Sequence, residues 1–463
     1  MDVRSLKFFV DACGGRERRG LPDMPIRRVC TDSRSAQAGD LFVPLVGERH
    51  DAHDFISDVA LKGIAAVAVN RGRIVPELPD CAIVEVEDTR LALGAMARRY
   101  RADFTVPLVA IGGSNGKTTT KELIASVLRQ TLATLWSEAS FNNDIGVPLS
   151  LLRLESRHQV AVLEVGTNHP GELQPLVRMI QPSFGVITNI GREHLEFFGD
   201  LDGVVREEGI LAECLHADGT LFVNGDNEWT PQLIARTQAR VVRVGFGEGN
   251  DWRALSVRVD RDGATFQVQS RQSIFSGEYR IQLLGRHQVM NALLAIAVGA
   301  ALGLGPKEIR GGLAECQAPK MRLQVWDLNG VRILDDAYNA NADSVLAALE
   351  TLRDVPCNGR RLAVLGDMAE LGEHAASAHA EVGRRAAELG VEQLFTVGKM
   401  ATLTAQAARE AGLNRVLEFQ AVEPAADAIK SFVRSGDVVL LKASRSSRLE
   451  RISELLRGET RKG

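Results

Sequence analysis

The chain has 463 residues, 45% of them hydrophobic and 25% charged, and its 55 Lys and Arg against 59 Asp and Glu give a formal net charge of -4. This length favours about three domains, each large enough to bury its own core without disulfides or a structural metal. The composition excludes a collagen, a disordered tail and a disulfide-stapled miniprotein, and the balanced charge gives no overall attraction to nucleic acid or to an anionic membrane.

The remaining composition signals predict a cytoplasmic protein. The N-terminal segment contains Asp2 and Asp11 and no long apolar core, so it does not resemble a signal peptide. The longest apolar stretch, 291–304, is too short and too rich in Gly and Ala to span a bilayer, so we expect no membrane insertion. The cysteines have no CxxC motif and no His at zinc-ligand spacing, and we interpret them as reduced thiols: Cys13, Cys30, Cys81, Cys214, Cys316 and Cys357.

Helical and strand patterns alternate along the whole chain, which predicts an α/β fold with parallel sheets. Residues 1–104 form a small unit with helical stretches at HDFISDVALKG and TRLALGAMARRYR. Residues 105–316 contain the strand candidates PLVAIGG, VAVLEVG, FGVITNI and TLFVNGD, then a long Ala-rich helix. Residues 317–463 open on a hairpin around LNG and then alternate helices with the strands RRLAVLGD, QLFTVG and DVVLLKAS. With no linker between them, we expect three domains that meet directly, with hinges near 104–107 and 315–322.

The strongest local signal is IGGSNGKTTT, where an apolar strand runs into a glycine-rich turn that opens a helix. In that context backbone N–H groups and a helix N-terminus hold a polyphosphate, Lys117 reaches the β- and γ-phosphates, and the Thr118 hydroxyl binds Mg²⁺. Ile111 stands where the strict G-x4-G-K-[ST] pattern has its first glycine, so the loop is a shortened variant. A tight turn with an exposed lysine is the alternative, but the strand–turn–helix context favours a nucleoside triphosphate. The predicted contacts are Gly113, Ser114, Asn115, Gly116, Lys117, Thr118 and Thr119.

Two further candidates follow strands of the same unit. Glu164 closes VAVLEVG, and His194 lies in the loop after FGVITNI. Ligands of parallel sheets bind at the carboxyl ends of the strands, so both residues are candidates for the metal. A lone loop histidine is more often structural, but the shared placement of the two residues favours a metal site.

Eight motifs then occur in an informative order: SNGKTTTKE, FNNDIGVPLSLL, LEVGTNHPGEL, TNIGREHLEFFG, LLGRHQVMNALLAIA, LDDAYNANADSV, LGDMAELG and LLKASRSSRLE. Together they resemble the Mur ligases, the ATP-dependent amide-forming enzymes of peptidoglycan precursor synthesis. The segment TDSRSAQAGDLFVPLVGERHDAHDF also resembles the UDP-sugar-binding domain of that family. The resemblance therefore covers essentially the whole chain.

The resemblance implies an N-terminal domain that binds the UDP end, a central ATPase domain and a C-terminal Rossmann-like domain that closes over the nucleotide. LGDMAELG and DDAYNAN resemble the member that adds D-alanyl-D-alanine to UDP-N-acetylmuramoyl-tripeptide, and the DNPR motif expected of the member that adds the third residue does not occur. ATP would convert the tripeptide's terminal carboxylate into an acyl phosphate, which the dipeptide amine then attacks. The implied cofactors are ATP and Mg²⁺, and we expect a monomer. No motif distinguishes meso-diaminopimelate from lysine as the third residue.

The resemblance also implies roles for individual residues. Thr118 and Glu164 resemble ligands of a first magnesium, and His194 resembles a ligand or close neighbour of a second. Asn291, Arg322 and Asp336 resemble residues that contact adenine, the ATP phosphates and the ribose. Candidate substrate contacts are Asn142, Asn143, Thr167 and Asn168 for the muramoyl-peptide, Ser33 and Arg34 for the uridine or diphosphate, and Asn339, Asn341, Lys442, Ser444 and Arg445 for the dipeptide or nucleotide. Turn and cap chemistry is the alternative for these polar loop residues.

The main departure from the family pattern concerns a residue that faces the metal in that family. The family usually has a lysine, carboxylated by CO₂, where the register VVREEGI gives Glu208. Because glutamate is already an anion, we predict that Glu208 supplies the metal-facing charge and acts with Lys117 and His194 in catalysis without CO₂. The alternative is a solvated glutamate on a helix face beside Glu207.

Two other functions stay open at this point. Folylpolyglutamate synthase shares the central ATPase arrangement but lacks the N-terminal UDP domain, whereas here about 110 residues precede the phosphate loop. The other is a non-catalytic nucleotide-binding protein on the same scaffold. The presence of Lys117, Thr118, Glu164 and His194 favours an enzyme.

Overall fold

The computed structural model describes residues 1–48, 50–73, 78 and 80–457, which form a mixed α/β protein. The predicted alternation of helices and strands is confirmed. Successive stretches of chain build a five-stranded, a nine-stranded and a six-stranded sheet, and a two-stranded pair accompanies the first.

The first stretch builds the five-stranded sheet. Its elements are β1 (Arg4–Ser5), α1 (Leu6–Cys13), β2 (Arg16–Arg19), β3 (Pro25–Ile26), β4 (Arg28–Cys30), β5 (Asp40–Phe42), a 3₁₀ turn (Ala52–Phe55), α2 (Ile56–Ala60), β6 (Ala66–Asn70), β7 (Ala82–Val86) and α3 (Thr89–Arg101). The strand order is β2-β7-β6-β5-β4, with β4 to β7 parallel and β2 antiparallel to β7. Helix α3 begins after Asp88, whose side chain accepts the N–H of Leu91 as an N-cap.

The second stretch builds the nine-stranded sheet. Its elements are β8 (Leu108–Gly112), α4 (Lys117–Leu128), β9 (Thr134–Trp136), α5 (Gly146–Leu151), β10 (Val160–Glu164), α6 (Leu173–Ile180), β11 (Phe184–Ile187), α7 (Leu195–Phe198), α8 (Leu201–Glu208), α9 (Ile210–Glu213), β12 (Thr220–Asn224), α10 (Thr230–Ile234), β13 (Arg240–Gly245), β14 (Trp252–Val259), β15 (Ala264–Ser270), a 3₁₀ turn (Ser273–Phe275), β16 (Gly277–Ile281), α11 (Arg286–Ala301) and α12 (Pro306–Glu315). The strand order is β16-β15-β14-β13-β12-β11-β8-β10-β9.

The third stretch builds the six-stranded sheet, in the order β17-β18-β22-β19-β20-β21. Its elements are β17 (Gln324–Leu328), β18 (Val331–Asp336), α13 (Ala342–Asp354), β19 (Arg361–Gly366), a 3₁₀ turn (Gly372–His374), α14 (Ala375–Glu388), β20 (Gln393–Val397), α15 (Ala401–Glu410), β21 (Val416–Phe419), α16 (Val422–Phe432), β22 (Val438–Lys442), a 3₁₀ turn (Arg445–Ser447) and α17 (Glu450–Arg457). The predicted hairpin is confirmed, because β17 pairs antiparallel with β18 through Asn329 and Gly330, both at positive φ.

The predicted parallel sheets are confirmed at the sheet centres, whereas antiparallel strands lie at the edges. Strand β15 is antiparallel to both β14 and β16, and the pairs β2–β7 and β17–β18 are antiparallel. Strands β14, β15 and β16, like β17 and β18, follow one another without an intervening α-helix, so hairpin links can join them as antiparallel neighbours. The sequence predicted the helical crossovers and the β17–β18 hairpin, but not the antiparallel pairing of β2 or of β14 to β16.

The centre of the nine-stranded sheet positions the site. Strands β8 and β10 are buried along their whole length, as expected of parallel strands covered on both faces. Strand β8 lies between β10 and β11, and Glu164 pairs with Ile111 in register. The loops that follow these three strands therefore emerge side by side at one edge of the sheet, where ligands of α/β proteins bind.

The joins between the three stretches lie between α3 and β8 and between α12 and β17. At the first join, the Tyr100 hydroxyl donates to the Leu154 carbonyl (2.7 Å) and the Arg101 guanidinium donates to the Ile180 carbonyl (2.9 Å), so α3 is packed against the central stretch. The boundaries at 104/105 and 316/317 remain predictions. In the part of the chain that the structure describes, no helix has the length and apolarity needed to cross a membrane.

Candidate active site

A cleft of about 780 Å³ lies where the carboxyl ends of the central strands face the third stretch. Of the predicted residues, its lining contains Ser114, Asn115, Gly116, Lys117, Thr118, Thr119, Asn142, Asn143, Glu164, Thr167, Asn168, His194, Asn291, Arg322, Asp336, Asn339, Asn341 and Lys442. The predicted residues outside this lining are Ser33, Arg34, Gly113, Glu208, Ser444 and Arg445. The fold therefore brings together most of the residues that the sequence predicted.

The phosphate loop adopts a conformation that requires its glycines. Gly113 and Gly116 have φ values of +109° and +85°, and a Cβ on Gly113 would lie 2.4 Å from the Thr188 hydroxyl. Helix α4 begins at Lys117, and its N-cap Gly116 contributes no capping side chain. The N–H groups of its first turn are thus left for a ligand at the cleft, and the helix dipole favours an anion there.

Lys117 lies in a strongly acidic environment. Its ammonium donates to the Gly113 carbonyl and to Glu193 Oε2 (3.3 Å). Burial acts to lower the pKa of Lys117, but the negative charges of Glu193, Glu208 and Glu164 outweigh burial and raise that pKa. The lysine therefore carries a full positive charge beside the phosphate loop.

Two of the residues predicted for magnesium, Thr118 and Glu164, fit an Mg²⁺ ion. The Thr118 hydroxyl donates to Glu164 Oε2 (2.8 Å), and the Asn142 side-chain amide donates to Glu164 Oε1 (2.9 Å). A hydroxyl and a carboxylate oxygen at this distance are the hard ligands that Mg²⁺ uses together with phosphate oxygens. Among the described residues, no three His, Cys, Asp or Glu side chains are grouped to hold a metal by themselves.

The third stretch contributes cations and an acid to the cleft. The Arg322 guanidinium stacks on the Tyr338 ring (4.1 Å to its centroid) and donates to the Ser140 hydroxyl of the central stretch (3.2 Å). Lys442 forms an ion pair with Asp336 (2.7 Å) at the carboxyl ends of the adjacent strands β22 and β18. This side of the cleft can therefore contact both the phosphates and the sugar of a nucleotide.

Helix α11 supplies the remaining wall beside the phosphate loop. Asn291 Nδ2 donates to Gln288 Oε1 (2.8 Å), and a Cβ on Gly116 would lie 2.7 Å from Asn291 Oδ1. Gln288 thus fixes the amide of the residue predicted to contact adenine. Burial lowers the pKa of the neighbouring His287 to about 4, so its imidazole is neutral.

With this geometry established, the chain can be compared with known proteins. It matches the model of the Mur ligase middle domain over residues 111–299 and that of the Mur ligase glutamate ligase domain over residues 321–445. It is 34% identical to the UDP-N-acetylmuramoyl-tripeptide--D-alanyl-D-alanine ligase of Bacillus subtilis, over 92% of each chain. The chain belongs to the Mur ligase family.

Solved structures agree with this assignment. The crystal structure of MurF from Acinetobacter baumannii superposes with a TM-score of 0.89 at 32% identity, over 99% of each chain. The structure of MurF ligase from Thermotoga maritima in complex with ADP has a TM-score of 0.81 at 26% identity, over 94% of this chain and 97% of that one. The three-domain α/β architecture that the resemblance implied is thereby confirmed.

Glu208 of this Mur ligase lies behind the phosphate loop. Glu208 is 1% exposed, and Oε2 accepts the N–H of Gly113 (2.6 Å) while no donor group reaches Oε1. Burial and the charge of Glu193 raise the pKa of Glu208 to about 8. The alternative of a solvated glutamate is therefore wrong, whereas the metal-facing role stays a prediction.

Glu207 is buried too, and its carboxylate caps α6. Its two oxygens accept the N–H groups of Gly171 (2.8 Å) and Leu173 (2.9 Å), which lie at the start of that helix. This contact attaches α8 to the loop that carries Thr167. Sequence analysis missed this role because the partners lie more than 30 residues away along the chain.

We expect Glu207→Ala to lower the free energy of unfolding by about 1–3 kcal/mol, because the buried N–H of Leu173 and the part-buried N–H of Gly171 lose their acceptor. Glu207→Gln keeps one acceptor oxygen and is expected to cost less. Urea unfolding measures the free energy of unfolding of both variants, and Glu228→Ala, which removes an exposed glutamate, is the matched control. Equal stability of the Glu207→Ala and Glu228→Ala variants would contradict this role.

His194 lines the cleft, but the side chain contacts the third stretch. It lies at φ +47° before α7, and Nδ1 is 2.5 Å from Glu370 Oε2. The hydrogen bond from His194 lowers the pKa of the Glu370 carboxyl. The predicted metal ligand is thus also a contact between the central and third stretches.

Several predicted substrate residues have structural contacts. Asn143 Oδ1 accepts the N–H of Gly146 (2.9 Å) at the start of α5, and Asn341 forms a capping box with Ser344 on α13. The Thr167 hydroxyl donates to the His169 carbonyl (2.8 Å). The alternative of turn and cap chemistry is therefore confirmed for these residues, and their substrate contacts stay predictions.

The remaining predicted contacts divide between buried and peripheral positions. Ser444 is buried. Its hydroxyl donates to the Ala340 carbonyl and accepts the N–H of Ala369. Arg445 lies near Glu450 (3.5 Å), outside the cleft. The peripheral positions in the first stretch are Ser33, whose carbonyl accepts from Lys62, and Arg34, which forms an ion pair with Asp32.

Sequence analysis missed Glu193, which lines the cleft and contacts Lys117. It is 4% exposed, and its Oε1 has no hydrogen-bond partner. The available signal was its position beside His194 after β11, at the same sheet edge as Glu164.

Proposed function

We propose that this Mur ligase joins D-alanyl-D-alanine to UDP-N-acetylmuramoyl-tripeptide, with ATP converted to ADP and phosphate, in peptidoglycan precursor synthesis. The observation that carries the proposal is the cleft itself, where Lys117 and the Thr118–Glu164 pair face Arg322 and Lys442 of the third stretch. The activity for which the Bacillus subtilis relative is named supports the choice of substrates, because the match covers 92% of each chain.

The chemistry follows from the poor reactivity of a carboxylate toward amines. A carboxylate oxygen of the tripeptide attacks the γ-phosphorus, the bond to ADP breaks, and an acyl phosphate results. The amine nitrogen of the dipeptide then attacks the acyl carbon to give a tetrahedral intermediate. The nitrogen loses a proton, the bond from carbon to the phosphate oxygen breaks, and phosphate leaves. Catalysis depends on position and on neutralisation of phosphate charge.

The residues of the cleft can both position the substrates and neutralise the phosphate charge. Lys117 and the first-turn N–H groups of α4 would bind the phosphate oxygens, and Arg322 would approach them from the other side of the cleft. The chain's ligands for Mg²⁺ would be the Thr118 hydroxyl and Glu164, and the bound ion would neutralise phosphate charge. We assign UDP binding to residues 1–104, ATP to 105–316 and the dipeptide to 317–463, in a monomer that acts in the cytoplasm.

Release of phosphate from ATP tests this function. We expect release only when UDP-N-acetylmuramoyl-tripeptide and D-alanyl-D-alanine are both present, together with a product whose mass equals their sum minus water. Parallel assays with the meso-diaminopimelate and the lysine tripeptides identify the third residue. Release with a folate and glutamate would instead indicate a folylpolyglutamate synthase, and no release with any pair would indicate a binding protein.

A further inference from the structure

Arg192 joins the central stretch to two helices of the third stretch. Its backbone N–H and Nε donate to the Asp343 carboxylate (2.7 and 2.8 Å), which lies in the first turn of α13. Its Nη1 donates to Glu381 Oε2 (2.6 Å) and Nη2 to Glu381 Oε1 (3.3 Å), on α14. A single guanidinium therefore binds two carboxylates from two helices, a geometry that its planar set of donors favours.

Gly191, the residue before Arg192, allows α13 to come close and connects Arg192 to the phosphate loop. A Cβ on Gly191 would lie 2.6 Å from Asp343 Oδ2, so a larger residue would push α13 away. The N–H of Gly191 donates to the Ser114 hydroxyl (2.9 Å), which donates in turn to the Gly191 carbonyl (3.2 Å). Arg192 is thus one peptide bond away from a residue that contacts the phosphate loop directly.

A second contact between the loop and α13 runs beside the first. Asn341 Nδ2 donates to Asn115 Oδ1 (3.0 Å), and the same asparagine caps α13. The phosphate loop thus reaches α13 along two routes, one through the asparagine amides and one through Arg192. The ionic route is the stronger candidate for control of docking, because its hydrogen bonds are charge-assisted.

We propose that Arg192 is a positioning residue that couples the phosphate loop to the docking of the third stretch, and so brings the dipeptide to the acyl phosphate. This inference rests on the proposed function, because that stretch is assigned the dipeptide. Arg192 does not line the cleft, so it acts through Asp343 and Glu381 rather than on the reacting atoms. An isolated surface ion pair contributes little, but this guanidinium is 29% exposed and belongs to a network of two carboxylates.

The effect expected on the reaction is a loss of alignment between the dipeptide amine and the acyl carbon. We expect Arg192→Met to lower kcat/KM for D-alanyl-D-alanine by roughly 10- to 100-fold, because small misplacements of reacting groups have effects of that size. The KM for ATP should rise by a smaller factor, because Lys117, Thr118 and the first-turn N–H groups of α4 stay in place and only the nucleotide contacts of the third stretch are weakened. Arg192→Lys should be intermediate, since an ammonium lacks the planar fork that binds two carboxylates.

The test uses the full chain and two independent measurements. Steady-state kinetics compares Arg192→Met, Arg192→Lys and the control Arg240→Met, which replaces an exposed arginine at the amino end of β13, on the opposite edge of the sheet. Small-angle X-ray scattering, with Mg²⁺ and a non-hydrolysable ATP analogue, measures whether the third stretch docks. We expect a larger radius of gyration for Arg192→Met than for the wild type or Arg240→Met.

A double variant separates coupling from loss of folding. Arg192→Met combined with Glu381→Gln should lose no more activity than Arg192→Met alone, because both substitutions remove the same contact. A kcat/KM for D-alanyl-D-alanine in Arg192→Met equal to that of the wild type, or an unchanged radius of gyration, would overturn the proposal. If the wild type does not turn over the proposed substrates, the proposed function fails, and the scattering result still decides the role of Arg192 in docking.

Discussion

Replacement of Lys117 by alanine is expected to reduce turnover by at least a factor of about 100 to 1,000, the range seen when one preorganised electrostatic contact to a developing charge is removed. The lysine is the positive charge at the phosphate loop, and it lies among Glu193, Glu208 and Glu164. Without it the site loses the charge that neutralises the phosphates, and the negative charges of Glu193 and Glu164 would repel the incoming phosphates. ATP binding should weaken as well, since charge repulsion acts on the ground state too.

Binding of the UDP-linked tripeptide should survive this substitution, because that end of the substrate is assigned to the first stretch. Isothermal titration of the UDP-tripeptide measures this directly, while coupled phosphate release measures turnover. Lys307→Ala, which removes an exposed lysine from α12, is the matched control and should behave like the wild type. Retained turnover in the Lys117→Ala variant would refute the assignment of the nucleotide site.

The phosphate loop could be predicted from sequence because all of its determinants are local. The strand, the glycines at positive φ and the helix that begins at Lys117 are consecutive in the chain. Glu164 could be predicted by one further step, since a strand end next to β8 must lie beside the loop. Local patterns together with the geometry of a parallel sheet were sufficient for this part of the site.

The contacts of Lys117 and Arg192 could not be predicted, because their partners are distant in sequence. Glu193 lies 76 residues from Lys117, and Glu381 lies 189 residues from Arg192. A charged residue in a loop gives no indication of which distant residue will meet it. The resemblance to a family implies roles only where the residues match, and Glu193 was not among the residues to which it gave a role.

The roles of the polar loop residues could not be predicted from sequence for a different reason. Asn143 caps α5 through its side chain, and Asn341 caps α13 while it also contacts Asn115. One amide group can cap a helix and still present another atom to a ligand, so the residue type alone does not separate the two roles. For these residues the cap is established, and substrate contact needs a binding measurement.

Glu208→Ala is expected to lower activity by about 10- to 100-fold, as is common when a group that supports a metal site is removed. In the wild type the Glu208 carboxyl accepts the N–H of Gly113, and its pKa is raised by the charge of Glu193 and lowered by that of Lys117. The substitution leaves a small buried space behind the loop where this carboxyl was. A short carboxylic acid such as formate or acetate should enter that space and restore part of the activity.

Two comparisons distinguish the charge of Glu208 from its support of the loop. Because its pKa is about 8, the Glu208 carboxyl is mostly protonated near pH 7 until a nearby Mg²⁺ favours its anion. Glu208→Gln keeps an oxygen that can accept from Gly113 but cannot become an anion, so we expect it to lose activity and to gain nothing from added acids. The wild type should keep its full activity when bicarbonate is removed, because the Glu208 carboxylate forms without CO₂.

Titration of Mg²⁺ should show weaker binding in both the Glu208→Ala and the Glu208→Gln variants. Full activity of Glu208→Ala with an unaltered magnesium dependence would contradict the metal-facing role, and full activity of Glu208→Gln alone would assign Glu208 to support of the loop.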